Sequence, residues 1–180
     1  MWISAIIMII LFTLYLKRKG YLQEVNENHL HDLGKWMFAI SFLWTYLWFC
    51  QFMLIWYANI PEEVTYFRAR FNDYKWVMWT MFFINFSLPM LLLMARDAKR
   101  NTGYLLWVGC IIFFTHWVDV YQMVMPGTVG GEWHFWSPLE LGMFCGFLGV
   151  FLYVVHTSLT KAPLMVQKHP FLEECKHLHV

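Results

Sequence analysis

Charge is what this chain has least of. Only 14% of its 180 residues are Asp, Glu, Lys or Arg, their balance is +1, and 59% of the residues are hydrophobic. With so little charge there is no basic field for a nucleic-acid partner, and the chain is too apolar for an ordinary water-soluble domain of its length. Cysteine is also sparse, at four residues. Cys50, Cys110, Cys145 and Cys175 form no CxxC pair, which leaves no disulfide framework and no iron–sulfur site; small buried packing residues are expected instead. A nucleotide-binding glycine loop and low-complexity segments are absent too. The longest polar connections, residues 17–35 and 58–73, are too short to fold alone, so any water-soluble chemistry must come from partners.

What the chain does have is apolar sequence in blocks. Five of them, residues 1–16, 36–57, 74–94, 104–125 and 138–159, predict an all-α integral membrane helical bundle over residues 1–160 with a cytoplasmic tail at 161–180. The last four blocks have the roughly 20 residues that a helix needs to cross about 30 Å of hydrocarbon. The first is short. It lacks a basic n-region and a small-residue cleavage site, and its cations Lys17, Arg18 and Lys19 follow the apolar run, so it reads as a retained span rather than a signal peptide.

Lys and Arg are distributed unequally between the two sides. Ten of the 13 fall in the 1–2 and 3–4 connections and the tail, whereas the 2–3 connection holds only Arg68, Arg70 and Lys75. The positive-inside rule then places the N-terminus outside and the C-terminus in the cytoplasm.

The segment THWVDVYQMVMPG, residues 115–127, sets His116 and Asp119 one helical turn apart within the fourth span. At 1.5 Å per residue they lie roughly 18 and 22 Å from its cytoplasmic start, inside the hydrocarbon zone. An Asp near a bilayer centre costs about 2.5 to 3.5 kcal/mol, so it must face the bundle interior, find a partner or be neutral. The i, i+3 spacing lets the two groups share a proton or a hydrogen bond. A proton relay or a quinone-site pair is the functional reading; a structural hydrogen-bonded pair is the alternative.

Intrinsic haem is disfavoured. The only other histidine within a span, His156, falls on the order of 10 Å away in depth. Tyr121 and Glu140 are further candidates for a proton path or quinone site. Glu140 also suits the first turn of a helix that starts at Pro138. Gln51 and Asn85 read mainly as interhelical hydrogen-bond glue, and Pro89 as a kink in the third span. The tryptophans Trp44, Trp48, Trp56, Trp76 and Trp79 read as interface belts and bundle packing. The tail histidines His169, His177 and His179 with Cys175 could ligate metal by type, as could His29 and His31, but a solvated role is favoured and no metal site is expected.

The run HLHDLGKWMFAISFLWTYLWFCQFMLIWYANIPEEVTYF, together with THWVDVYQMVMPG and the turn before Pro138, resembles the ActF-type membrane subunit of bacterial alternative complex III. That complex is a quinol to cytochrome c or terminal-oxidase oxidoreductase whose large membrane subunits are similar to the NrfD/PsrC family. The resemblance implies a ten-helix subunit, of which five spans with an outside N-terminus would be the second half. It further implies that this chain binds no cofactor and is not catalytic alone. Quinol would be the substrate, and iron–sulfur clusters and c-type haems would lie in partner subunits. Those partners would be a sister ActC-type membrane subunit, a periplasmic iron–sulfur subunit and multihaem c-type cytochromes, all at the bacterial inner membrane. His116 and Asp119 match the family's buried polar motif, for which a proton-conducting path is the implied role. The outer loops 59–67, with PEEV, and 126–137, with GGEWHFW, would dock the iron–sulfur subunit, with anchoring at the lipid interface as the alternative reading.

Overall fold

The computed structural model describes residues 2–129, 138–165 and 170–176, and the chain divides into two compact units. The first holds six helices: α1 (Trp2–Arg18), α2 (Glu27–Ala58), α3 (Pro61–Asp73), α4 (Lys75–Leu92), α5 (Arg96–Arg100) and α6 (Thr102–Thr128). The second holds α7 (Pro138–Lys161) and α8 (Leu172–Lys176). No strand occurs among the described residues. Among the described residues four helices, α2, α4, α6 and α7, are long and apolar enough to cross a membrane.

Local sequence explains where the helices start and stop. Asn26 precedes α2, and its backbone N–H donates to His29 Nδ1 at 3.0 Å, which gives that histidine a capping role. At the other end Asn59 turns into the left-handed region, φ +49°, where Asn is tolerated, and its N–H closes on the Ile55 carbonyl. Pro61 then opens α3 at the first helical positions, where its missing N–H costs nothing, and Glu62 and Glu63 favour the positive helix end. The connection expected over residues 58–73 is therefore largely helical. Asn101 caps α6 by accepting from the N–H groups of Gly103 and Tyr104 at 3.0 and 3.2 Å. Pro89 lies inside α4 only one turn before the helix ends, and the Leu93 N–H still reaches the Pro89 carbonyl.

In the first unit α1 packs on α2 and α6, and α4 packs on the same two helices, so that α2 and α6 face each other diagonally. α3 lies at the end where α2 finishes and α4 begins; α5 lies at the opposite end, against α2 and α6. α1 has 17 residues, about 26 Å at 1.5 Å per residue, yet it contributes much of the core. Its Ile3, Ile7, Ile10 and Leu14 recur at helical spacing and are buried against Leu30, Met37, Leu105, Val108 and Ile112. Gly109 permits that approach: a Cβ there would sit 3.5 Å from Ile7 Cγ2.

The surface is apolar where a soluble bundle would be polar. Trp36, Tyr46, Leu47, Leu54, Leu91 and Trp107 are each more than half exposed, while His116, Asp119, Gln122, Asn85, Ser41 and Thr45 are buried. The buried hydroxyls turn back on their own helices, Ser41 to the Met37 carbonyl and Thr45 to that of Ser41. Polar groups inside and large apolar groups outside is the distribution that hydrocarbon surroundings favour. The cysteines depart from expectation. Cys110 and Cys145 lie on exposed helix surface and Cys50 is half-buried, so packing inside the core is not their role.

Candidate functional site

Asp119 is the one buried carboxylate among the described residues, and α6 carries it on the same face as Thr115, His116 and Gln122. The expected pairing with His116 is present but looser than a hydrogen bond: His116 Nδ1 lies 3.8 Å from Asp119 Oδ2. The hydrogen bond to that oxygen comes from elsewhere. Trp44 Nε1 donates to Asp119 Oδ2 at 3.0 Å, crossing the diagonal from α2 to α6. The Trp44 ring also meets the His116 ring edge-on, with centroids 5.4 Å apart.

Trp44, assigned from its spacing to packing and interface belts, thus holds the site together. Nδ1 of His116 faces the carboxylate, and Nε2 is buried without a hydrogen-bond partner among the described residues. A small approach of the imidazole would bring Nδ1 within hydrogen-bond reach of the carboxylate, while no partner for Nε2 occurs among the described residues.

Asp119 also lines a cavity of about 20 Å³, shared with Gln51, Gln122, Arg70, Trp48 and Tyr66 among others. Gln51, expected to act as interhelical glue, reaches this cavity. Gln122, which the sequence did not single out, is buried beside it, and its Oε1 has no hydrogen-bond partner among the described residues. Arg70 was also missed. It was one of the three cations of the 2–3 connection, yet α3 buries it. Its guanidinium donates to the carbonyls of Tyr66 at 2.7 Å and Met123 at 3.0 Å, and lies 3.4 Å over the centre of the Tyr66 ring.

The Met123 carbonyl belongs to the turn that Pro126 loosens, since proline offers no N–H to the carbonyl of Gln122. Burial pulls the Arg70 guanidinium down from its ordinary value, with Tyr66 and Tyr74 acting the other way; it stays a cation at any working pH. Burial, reinforced by Asp73, pushes the neighbouring Tyr74 phenol up, against the pull of Arg70.

The remaining sequence candidates scatter. Tyr121 joins an aromatic ladder with Trp117 and Phe114 along α6, its ring centroid 5.8 Å from that of Trp117. Asn85 on α4 is buried, and neither its nitrogen nor its oxygen has a hydrogen-bond partner among the described residues. Glu140 and His156 belong to α7 in the second unit, Glu140 in its first turn and His156 exposed near its end. His169, His177 and His179 lie outside the described residues, as does the stretch 130–137 with GGEWHFW. Among the described residues no three His, Cys, Asp or Glu side chains come together as a metal site. His31 is buried at the α5 end, 3.9 Å from Asp32, whose carboxylate is paired with Lys35 at 2.6 Å.

A second and larger cavity, about 320 Å³, opens between the end of α2 and α3. Phe52, Trp56, Phe67 and Phe71 line it, with Arg68 and Asn72 as polar neighbours. Comparison with known proteins finds neither a family model nor a curated protein that matches this chain.

Proposed function

We propose that this chain is a multi-pass subunit of a respiratory quinol oxidoreductase complex in a bacterial inner membrane, and that it contributes part of a transmembrane proton path. The observation that carries the proposal is the buried His116–Asp119–Trp44 centre on the diagonal of the bundle. Ionisable groups within membrane helices are costly and mark ion or proton pathways by default. The four apolar helices support the membrane setting. The resemblance of the runs from His29 to Phe67 and from Thr115 to Gly127 to the ActF-type subunit supports the respiratory one.

In this reading α1 is a fifth span, the α5 end with Lys35, Arg96, Lys99 and Arg100 faces the cytoplasm, and α3 lies on the outer side. The PEEV turn of α3 then belongs to the surface that meets the iron–sulfur subunit. Quinol oxidation and electron transfer occur in the partner subunits, and this chain moves protons alongside. Asp119→Asn in the intact complex is expected to leave quinol oxidation running while lowering the protons moved per quinol oxidised. Unchanged proton yield and unchanged turnover would overturn the proton-path reading.

The aromatic cavity between α2 and α3 favours a second reading, a quinol-binding anchor. Rings at Phe52, Trp56, Phe67 and Phe71 suit a flat apolar head group, and Arg68 and Asn72 offer hydrogen bonds at its edge. Under that reading Phe71→Ala raises the quinol concentration needed for half-maximal turnover, an effect that the proton path alone does not produce.

A further inference from the structure

The only buried carboxylate and the only buried Lys or Arg side chain among the described residues, Asp119 and Arg70, line the same small cavity. They come from different elements. Asp119 sits on a helix that can cross the membrane, and Arg70 on the short helix α3 at the end of the bundle. Opposite charges isolated in apolar surroundings are retained where each compensates the other, because either one alone bears the full cost of leaving water.

The cavity volume, about 20 Å³, accommodates one water, which needs about 10 to 15 Å³ by the same measure. The walls also supply what a buried water requires, two to four polar partners. Arg70 has five N–H donors and gives two of its nitrogens to the Tyr66 and Met123 carbonyls, so donors remain. The Asp119 carboxylate accepts, and the buried Oε1 of Gln122, without a hydrogen-bond partner among the described residues, is a second acceptor.

We propose that one ordered water in this cavity bridges Arg70 to Asp119, forming a water-mediated ion pair in which Arg70 is the positioning residue and counter-charge of the His116–Asp119 centre. The guanidinium is fixed for this task by two carbonyls and the Tyr66 ring, so it holds the water rather than collapsing onto the carboxylate. Without Arg70 the Asp119 carboxylate would keep the Trp44 N–H and the nearby His116 but lose its fixed counter-charge, which favours the neutral carboxyl form. The ion pair deepens the proton-path reading, but only its consequence for proton movement rests on that reading.

The test is infrared difference spectroscopy on the full chain in its membrane complex at neutral pH. Asp119→Asn identifies the bands of the carboxyl group, and heavy-oxygen water identifies the bound water. The wild type is expected to show carboxylate but no protonated carboxyl signal from Asp119, together with a sharp, strongly hydrogen-bonded water band. Arg70→Gln should produce the protonated carboxyl band, and Arg70→Lys should not. Gln122→Leu keeps every bond that pins α3 to α6 and removes one acceptor of the water, so the water band should shift while Asp119 stays a carboxylate, which guards against a fold defect in the Arg70 variants.

A wild-type spectrum without a bound-water band, or no carboxyl change in a folded Arg70→Gln protein, would overturn the ion pair. The proton yield of Asp119→Asn separates the two ideas. An unchanged yield with the expected bands removes the proton path and leaves the ion pair standing, and a lowered yield with bands indifferent to Arg70 does the reverse.

Discussion

At the scale of single residues, the site depends on which group donates to Asp119. His116 and Asp119 are legible in sequence because a titratable pair one turn apart within an apolar run has no other place to go. Their partners are not. Trp44 is 75 residues away and Arg70 is 53 residues from the carbonyl that it holds, and each sits in a pattern that bundle packing or loop charge explains equally well. Only the diagonal arrangement of α2 and α6 brings the indole N–H to the carboxylate. Trp44→Phe keeps the ring and removes that donor. It is expected to lower the unfolding free energy in lipid bicelles by about 0.6 to 1.7 kcal/mol, the range for hydrogen bonds between membrane helices. The loss should vanish in an Asp119→Asn background if the amide no longer needs the donor, which a double-mutant cycle measures.

At the scale of elements, the apolar blocks located the long helices to within a few residues, except that α2 begins nine residues before its apolar block, at Glu27. The early start follows from the capping residues Asn26 and His29, a local signal that hydropathy does not register. α3 was hidden for a similar reason. Its 13 residues are too polar to count as a span, and its buried face, Phe67 and Arg70, mixes an aromatic with a cation. Helix contacts give two further expectations. Gly109→Ala should be tolerated, because its methyl would meet Ile7 at ordinary contact distance. Gly109→Leu should push α1 off α6 at a cost of about 1 to 3 kcal/mol, read from the unfolding transition. Asn101→Ala removes the acceptor for two α6 N–H groups and should cost about 1 kcal/mol in the same measurement.

At the scale of the whole molecule, the unequal placement of Lys and Arg predicts which end faces which compartment. With the native cysteines replaced by serine, Glu63→Cys on α3 should react with a membrane-impermeant maleimide added from the outer side. Asp97→Cys on α5 should react only after the membrane is opened; the opposite pattern would invert the orientation. Both residues are exposed at opposite ends of the first unit. The cavity beside Asp119 carries one more consequence, for selectivity. With room for one water, it has no space for a sodium or potassium ion wearing its hydration shell. In the proton-path reading, charge would cross this point as single protons handed between fixed groups, and the site would stay tight to the alkali cations whose leakage dissipates a membrane potential.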